Sequence, residues 1–276
     1  MPPSDSHSSC HAGSPETIEI AGQSVLVHRF DAVGSTNNLA RQWLQENPTP
    51  RPAAWVAASQ SAGKGTRGRS WASPHGGLWM SVAMPLVDSP EQALPGLGIR
   101  VGLAAYRAAR SIVTESIAER LKLRWPNDLV IETEAGTVLK LGGTLIDHIS
   151  SSVVVGIGIN ANNPAPRIDA AGTPLRTPAG SLCEFTGTEI PIHKLEIHLL
   201  TELCALIPLH GLPDDLEPEL NRALHRPGHP VTVVPRSGET YSGMIAGISR
   251  ASETVGALLI DRPDGSQTTV TSGEIR

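Results

Sequence analysis

The stretch SQSAGKGTRGRSW, residues 59–71, places three glycines and three cations within thirteen positions and closes on a Trp. Glycines 63, 65 and 68 let backbone N–H groups turn inward and approach a ligand closely, while Lys64, Arg67 and Arg69 add fixed positive charge. The pattern suits an anion; on its own it equally describes a basic hairpin turn. The flanking runs, AAWVAASQ (53–60) and GGLWMSVAMPL (76–86), both read as strands, so the loop belongs to a sheet. It is not a Walker A loop, because G-x-x-x-x-G-K-[ST] is absent and the element that follows is a strand rather than a helix.

Outward from this loop, IEIAGQSVLVHRFDAVG (18–34) alternates as a hairpin entering a sheet. Ser35 then precedes a helix expected over 36–46, with Leu39 and Trp43 on one face and Asn47-Pro48 ending it. Residues 97–121 keep apolar positions at helical spacing and are expected to form one buried helix. LKLRWPNDLVIE (121–132) and VLKLGGTLIDHI (138–149) read as two strands joined through Glu134, Ala135 and Gly136, with VVVGIGIN (153–160) a third. Strict βαβ alternation is missing, which argues against a parallel doubly wound sheet. Residues 162–188, rich in Pro, Gly, Thr and Ala, look like a long covering loop. A second amphipathic helix is expected over 193–207. After Arg226-Pro227-Gly228 the texture changes to short strands separated by Ser-Gly, Ser-Glu and Asp-Gly turns, as in a small all-β barrel.

Composition excludes several classes. Across 276 residues the apolar fraction is 39%, and no run approaches the roughly 18 apolar residues that span a bilayer. The first sixteen residues lack the apolar centre of a signal peptide and read as a disordered tail. Cys10, Cys183 and Cys204 are scattered without metal or disulfide spacing, which fits a reducing, cytoplasmic setting. A net charge of −5 gives the molecule no global attraction to nucleic acid, so any nucleotide must be held locally.

Four further motifs carry chemistry. In RWPNDLV, Pro126 fixes a turn, Asn127 hydrogen-bonds local backbone, and Asp128 presents a carboxylate that suits Mg²⁺ or a neighbouring cation; a plain Pro-Asn-Asp turn is the simpler reading. Lys140 is a cation in an otherwise apolar strand, followed by Gly142 and Gly143, where something must approach; it also fits an outward-facing edge lysine. GIGIN (156–160) repeats the glycine device and ends on the amide of Asn160, or is a tightly packed core strand. Ser35, Thr36 and Asn37 bring two hydroxyls and an amide to a helix start, where capping alone explains them. Trp71 and Trp79 fit ordinary sheet packing, and the ten histidines contain no zinc-type cluster.

Each element is weak alone, but they occur in one order: STN, Q-x-x-G-[KR]-G-x-x-G-R-x-W, [KR]-W-P-N-D, K-x-x-G, G-x-G-I-N, and a small terminal barrel ending SGEIR. That order closely resembles the biotin protein ligases, from about residue 30 to the C-terminus. The resemblance implies an α+β fold: a catalytic domain with a mixed sheet akin to class II aminoacyl-tRNA synthetases over 17–225, and an SH3-like barrel over 226–276. It implies that biotin and ATP, with Mg²⁺, form biotinyl-5′-AMP and pyrophosphate, and that biotin then passes to a lysine of a biotin carboxyl carrier domain. It assigns Lys140 to the carboxylate and α-phosphate, Lys64 and its loop to closure over the adenylate, and Asp128 to organising Lys140 or a metal. Ser35, Thr36, Asn37 and Gln60 would read the ureido head. Gly63, Gly143 and Gly156 would give backbone access, with Trp71 beside the valeryl chain. Arg67, Arg69, Trp125, Asn127 and Asn160 would complete the nucleotide side.

Two departures stand out. Thr66 replaces the second cation of the common G-R-G-R-x-G-R loop, and the turn between WPND and KLGG is long for the family. A lipoate ligase shares the adenylation step but matches the combination of WPND, GKGTRGR and terminal barrel less well. Only 34 residues precede Ser35, so a winged-helix repressor module, DNA binding and membrane attachment are not expected, and either a monomer or a homodimer is compatible with the chain.

Overall fold

A computed structural model of the chain describes residues 14–47, 51–166, 175, 177–235 and 238–275. The N-terminal segment expected to be a disordered tail lies outside these residues up to position 13, and the first strand already includes Glu16.

In chain order the elements are β1 (Glu16–Ile20), β2 (Gln23–Val33), α1 (Thr36–Glu46), β3 (Ala53–Gln60), β4 (Leu78–Pro85), α2 (Pro90–Ala93), α3 (Leu97–Arg110), α4 (Glu115–Ala118), β5 (Leu121–Arg124), β6 (Asp128–Glu132), β7 (Val138–Ile149), β8 (Ser152–Ile159), α5 (Leu182–Thr186), α6 (Ile192–Leu206), α7 (Glu217–Ala223), β9 (Pro230–Val234), β10 (Tyr241–Ile248), β11 (Leu258–Asp261), β12 (Gln267–Val270) and β13 (Glu274–Ile275). Eight strands form one sheet in the order β1-β2-β3-β4-β8-β7-β6-β5, in which only β2 and β3 run parallel. Five form a second, antiparallel sheet, β12-β11-β10-β9-β13. The architecture is thus α+β with a large mixed sheet and a smaller C-terminal one.

The two faces of the large sheet do different work. On one, α3 packs over Leu121, Leu123, Leu129, Ile131, Leu139 and Leu141, and α6 packs against α3, β1 and β4, in a core that continues into Val231, Ile245 and Leu258 of the second sheet. On the other, α1 lies close to β3, β4 and β8, because Ala53 and Ala83 leave room for Ala40 and Leu44 beside Trp55. Strand alternation then puts Lys140, between buried Leu139 and Leu141, on the face away from α3. The remainder of that face, at β5–β8, carries the site.

Three sequence expectations are corrected. The expected single helix over 97–121 ends at Arg110: the Ser111 hydroxyl donates to the Ala108 carbonyl, β-branched Ile112, Val113 and Thr114 follow, and extended Thr114 starts a separate turn. The expected single strand over 121–132 is a hairpin of β5 and β6 turning through 125–127, where Pro126 cannot supply a ladder donor. Within 162–188, residues 167–174 and 176 lie outside the description, and 182–186 are helix rather than loop. The long turn before KLGG does occupy the tip between β6 and β7.

Candidate active site

The centre of the site is a carboxylate shared by two cations. Asp128, at the start of β6, pairs across the hairpin with Arg124, whose Nη2 lies 2.6 Å from Oδ2. Its Oδ1 lies 2.5 Å from Lys140 Nζ. Burial opposes ionisation of Asp128, but the charges of Lys140 and Arg124 outweigh it and hold the carboxyl below its usual range. The Lys140 ammonium also sits 5.1 Å from the centroid of the Trp71 ring, a cation–π contact that ties the glycine-rich loop to the sheet.

Trp71 reaches Lys140 because the strand beneath it carries no side chain at one position. A Cβ on Gly158 would come within 2.7 Å of Trp71 Nε1, so only glycine admits the indole there. Gly143 faces Asp128 in the ladder beside the Lys140 side chain, but a Cβ there would make only ordinary contact with Lys140 Cε and Nζ, at 3.4 Å, so the packing itself does not require glycine at this position. Gly156 faces Asn37 and Ser81 instead.

A second cluster joins the start of α1 to the end of β3 and the middle of β4. Gln60 Oε1 accepts from the Thr36 backbone N–H at 2.9 Å and from its hydroxyl at 3.1 Å. Since the backbone N–H can only donate, the orientation of the Gln60 amide is fixed, and its Nε2 donates to Ser73 Oγ at 2.8 Å. The single Thr36 hydroxyl proton is committed to Gln60, so the 2.8 Å contact between Thr36 and Ser81 has Ser81 donating. The hydroxyls of Thr36 and Ser81 are therefore left with lone pairs to offer, and no protons.

Capping does not account for the Ser-Thr-Asn triplet. Ser35 stands at the N-cap position, yet its side chain makes no capping bond, and its Oγ is buried without a partner. Both side-chain polar atoms of Asn37 and the Nε1 of Trp71 are likewise buried and unpartnered. Four such atoms near one loop represent a substantial desolvation cost unless something else meets them.

The loop itself is tied to the second sheet. Residues 66–68 form a short 3-10 turn with Arg67 at φ 62°. Arg67 and Arg69 both pair with Glu274 on β13, at 3.1 and 3.0 Å, and Arg69 also donates to the Thr66 hydroxyl at 3.2 Å. Lys64 is exposed, with no ion pair among the described residues.

The remaining sequence-predicted residues have structural engagements. Trp125 is buried and donates to the Gly256 carbonyl of the second sheet's β10–β11 loop at 3.0 Å. Asn127 donates to Thr144 O at 2.7 Å. Asn160 is buried, and its Oδ1 accepts from Asn163 at 3.0 Å. Sequence reasoning did not single out Ser73, Ser81, Arg124, Gly158, Thr177 or Glu274. Only Arg124, the [KR] of the WPND motif, and Gly158, within GIGIN, carried any local signal. Among the described residues no group of three or more His, Cys, Asp and Glu side chains could hold a metal. A cleft of about 550 Å³ lined by Lys122, Glu132, Arg222, Arg226 and His229 contains none of the predicted residues.

The polar cluster and the Asp128–Lys140 pair are joined through the glycine-rich loop, whose Trp71 meets Lys140 and which is followed by Ser73 bonded to Gln60. Residues 30–162 match the model of the biotin/lipoate A/B protein ligase family. The biotin–[acetyl-CoA-carboxylase] ligase of Paracoccus denitrificans is 30% identical, over 84% of this chain and 94% of its own. The bifunctional ligase/repressor BirA of Bacillus subtilis is 31% identical over 52% of this chain, which spans 42% of that protein's length. The biotin protein ligase of Aquifex aeolicus, solved with biotin and ATP, superposes with a TM-score of 0.71 at 24% identity, covering 91% of this chain and 97% of that one, a likeness of fold. The chain belongs to the biotin/lipoate A/B protein ligase family and stands with its biotin protein ligases.

Proposed function

We propose that this chain joins biotin to ATP, releases pyrophosphate, and passes the biotinyl group from the adenylate to a lysine of a biotin carboxyl carrier domain. The observation that carries the reading is the set of buried, unpartnered polar atoms on Ser35, Asn37 and Trp71, next to hydroxyls with only lone pairs to offer. A ureido head brings two N–H donors and a carbonyl, which match acceptors on Thr36 and Ser81 and donors on Ser35 or Asn37. A dithiolane head has no N–H, and would leave those acceptors unmet in a buried place. Sites built to hydrogen-bond a substrate N–H reject analogues lacking it by roughly 10⁴-fold or more.

Adenylation brings a carboxylate against an α-phosphate, anion against anion. Lys140, pre-aimed by Asp128, supplies positive charge where negative charge develops, and the loop bearing Lys64, Arg67 and Arg69 covers the mixed anhydride against water. Gly63, Gly143 and Gly156 serve close backbone approach, and Trp71 flanks the acyl chain. Both Asp128 oxygens are engaged by cations, so its donor set suits organising Lys140 better than holding Mg²⁺. Mg²⁺ would instead be held by the phosphates of the nucleotide, where it would supply countercharge. Trp125 through Gly256, Asn127 through Thr144 and Asn160 through Asn163 would shape the backbone on the nucleotide side. We read the larger part as a synthetase-like catalytic domain over 17–225 and residues 226–276 as an SH3-like domain, acting in the cytoplasm without DNA or membrane partners.

The test is to incubate the protein with ATP, Mg²⁺ and either biotin or lipoate, and to follow pyrophosphate release and then label transfer to a carrier domain. Biotin-dependent release and transfer are expected. Release that depends on lipoate and not on biotin, or no release with either acid, would overturn the reading.

A further inference from the structure

Arg124 carries an arrangement that the reaction scheme does not use. Its side chain is mostly buried, and its two terminal nitrogens go separate ways: Nη2 to Asp128 Oδ2 at 2.6 Å, and Nη1 to Thr177 Oγ1 at 2.9 Å. Both routes end on the same residue. Asp128 holds Lys140 Nζ at 2.5 Å. Beyond Thr177, the chain bridges to the main chain of Lys140: Lys140 N–H donates to Pro178 O at 2.9 Å, and Gly180 N–H donates to Lys140 O at 3.0 Å. One guanidinium therefore reaches Lys140 through its side chain on one side and through its backbone on the other.

We propose that Arg124 is a positioning residue for Lys140, fixing the ammonium through Asp128 and the main chain through the segment 177–180. The activity used to read it out rests on the biotin ligase reading above. A lysine carries a flexible four-carbon stem with many rotamers, so an unrestrained ammonium is poorly aimed. A lone Asp–Lys pair would aim it but also neutralise it. With two cations against one carboxylate, one positive charge stays uncompensated for an incoming anion. Arginine suits this role because its planar fork makes two directed bonds at once, which a lysine in its place cannot.

The competing account is that Arg124 merely closes the β5–β6 hairpin, since it faces Asp128 directly in the ladder. That role would show in folding and not in turnover. Three variants separate the two: Arg124→Ala, Arg124→Lys and Thr177→Val. Arg124→Ala is expected to lower kcat for biotin-dependent pyrophosphate release by roughly ten- to a hundredfold per folded molecule, the scale of charge-assisted hydrogen bonds. Biotin KM should stay within about threefold, because the head-group cluster lies on α1, β3 and β4. Arg124→Lys keeps the Asp128 contact and should recover part of the loss, and Thr177→Val cuts only the main-chain route and should cost less than Arg124→Ala.

Hydrogen exchange gives a readout independent of activity. The Lys140 and Gly180 amides should exchange about tenfold faster in Arg124→Ala and Thr177→Val, while β8 amides that pair only with β4 keep their protection. Wild-type kcat in folded Arg124→Ala, or a loss seen only in biotin KM, would overturn the proposal. So would unchanged exchange at Lys140 and Gly180, and this outcome stands even if wild type proves silent with biotin, which would sink the functional reading alone. Should Arg124→Ala fail to fold, wild-type kcat and exchange in both Arg124→Lys and Thr177→Val would overturn it.

Discussion

Glu274 is the residue through which the second sheet holds the glycine-rich loop, and replacing it with Ala tests what that hold contributes. Its two oxygens pair with Arg67 and Arg69 at 3.1 and 3.0 Å. Arg67 is 30% exposed, Arg69 59% and Glu274 40%, so solvent screens both pairs and each is worth the surface value of about 0.2–1 kcal/mol. Together they bias the loop toward its docked position by about 0.5–1.5 kcal/mol, or roughly two- to tenfold in population. The Thr66–Arg69 and Trp71–Lys140 contacts survive the substitution, so the loop is loosened and not lost. With acceptor omitted, Glu274→Ala should release labelled biotinyl adenylate about two to ten times faster than wild type at 0.1 M salt. At 1 M salt, where the Debye length falls to about 3 Å, the two proteins should converge. Equal release rates at low salt would refute the latch, and a difference that persists undiminished at 1 M would show that it does not act through these charges.

Other outcomes follow from the same geometry. Lys140→Ala should lower the adenylation rate about a hundredfold or more, the scale for one preorganised charge, and near-normal pyrophosphate release from the folded variant would contradict its central role. Thr66→Arg should retain adenylate roughly ten- to a hundredfold longer if the extra cation engages it; identical release would show that the number of loop cations does not set retention. His225, buried beside Leu123 at the junction, has its pKa lowered to about 4, chiefly by burial. The unfolded chain therefore binds this proton more readily, and the stability it confers is complete above about 6.5 and falls about tenfold in folding equilibrium per pH unit down to about 4; His225→Leu should flatten that part of a denaturation-against-pH curve. Arg100 is fully buried and donates to the carbonyls of Ala93, Pro95, Leu206, Ile207 and Gly211, so Arg100→Met should cost roughly 3 kcal/mol or more in urea unfolding. Biotin KM in that variant should not change.

Much of the site was legible because its residues are chemically improbable where they stand. A lysine between Leu139 and Leu141, followed by two glycines, marks a strand with one functional face, and the loop from Gly63 to Trp71 declares itself by composition. What the sequence could not show is partnership across distance. Ser73 and Ser81 look like any strand or loop serines, yet they complete the hydrogen-bond chain that runs through Thr36 and Gln60. Thr177 lies in a Pro/Gly-rich stretch without periodicity and becomes meaningful only beside Arg124. The misread helix and hairpin have a common cause: helical spacing and strand-like composition continue across Ser111–Thr114 and 125–127, where hydroxyl back-bonding and a proline interrupt the backbone ladder without disturbing the apolar pattern.

The second sheet is better understood as a wall of the site than as an appendage. Two attachments lie on or next to the motifs of the large sheet: Glu274 on the loop cations, and the Gly256 carbonyl on the indole of Trp125. Trp125 adjoins Arg124, the residue through which Asp128 and Thr177 are held. A shift of the second sheet would therefore reach Lys140 by two routes, through the loop and Trp71, and through the β5–β6 hairpin and Asp128. Both routes consist of short contacts among side chains that are at least half buried, except at Arg69, where the loop meets solvent. On the proposed adenylation chemistry, the position of the loop and the aim of the Lys140 ammonium would therefore be coupled through these contacts.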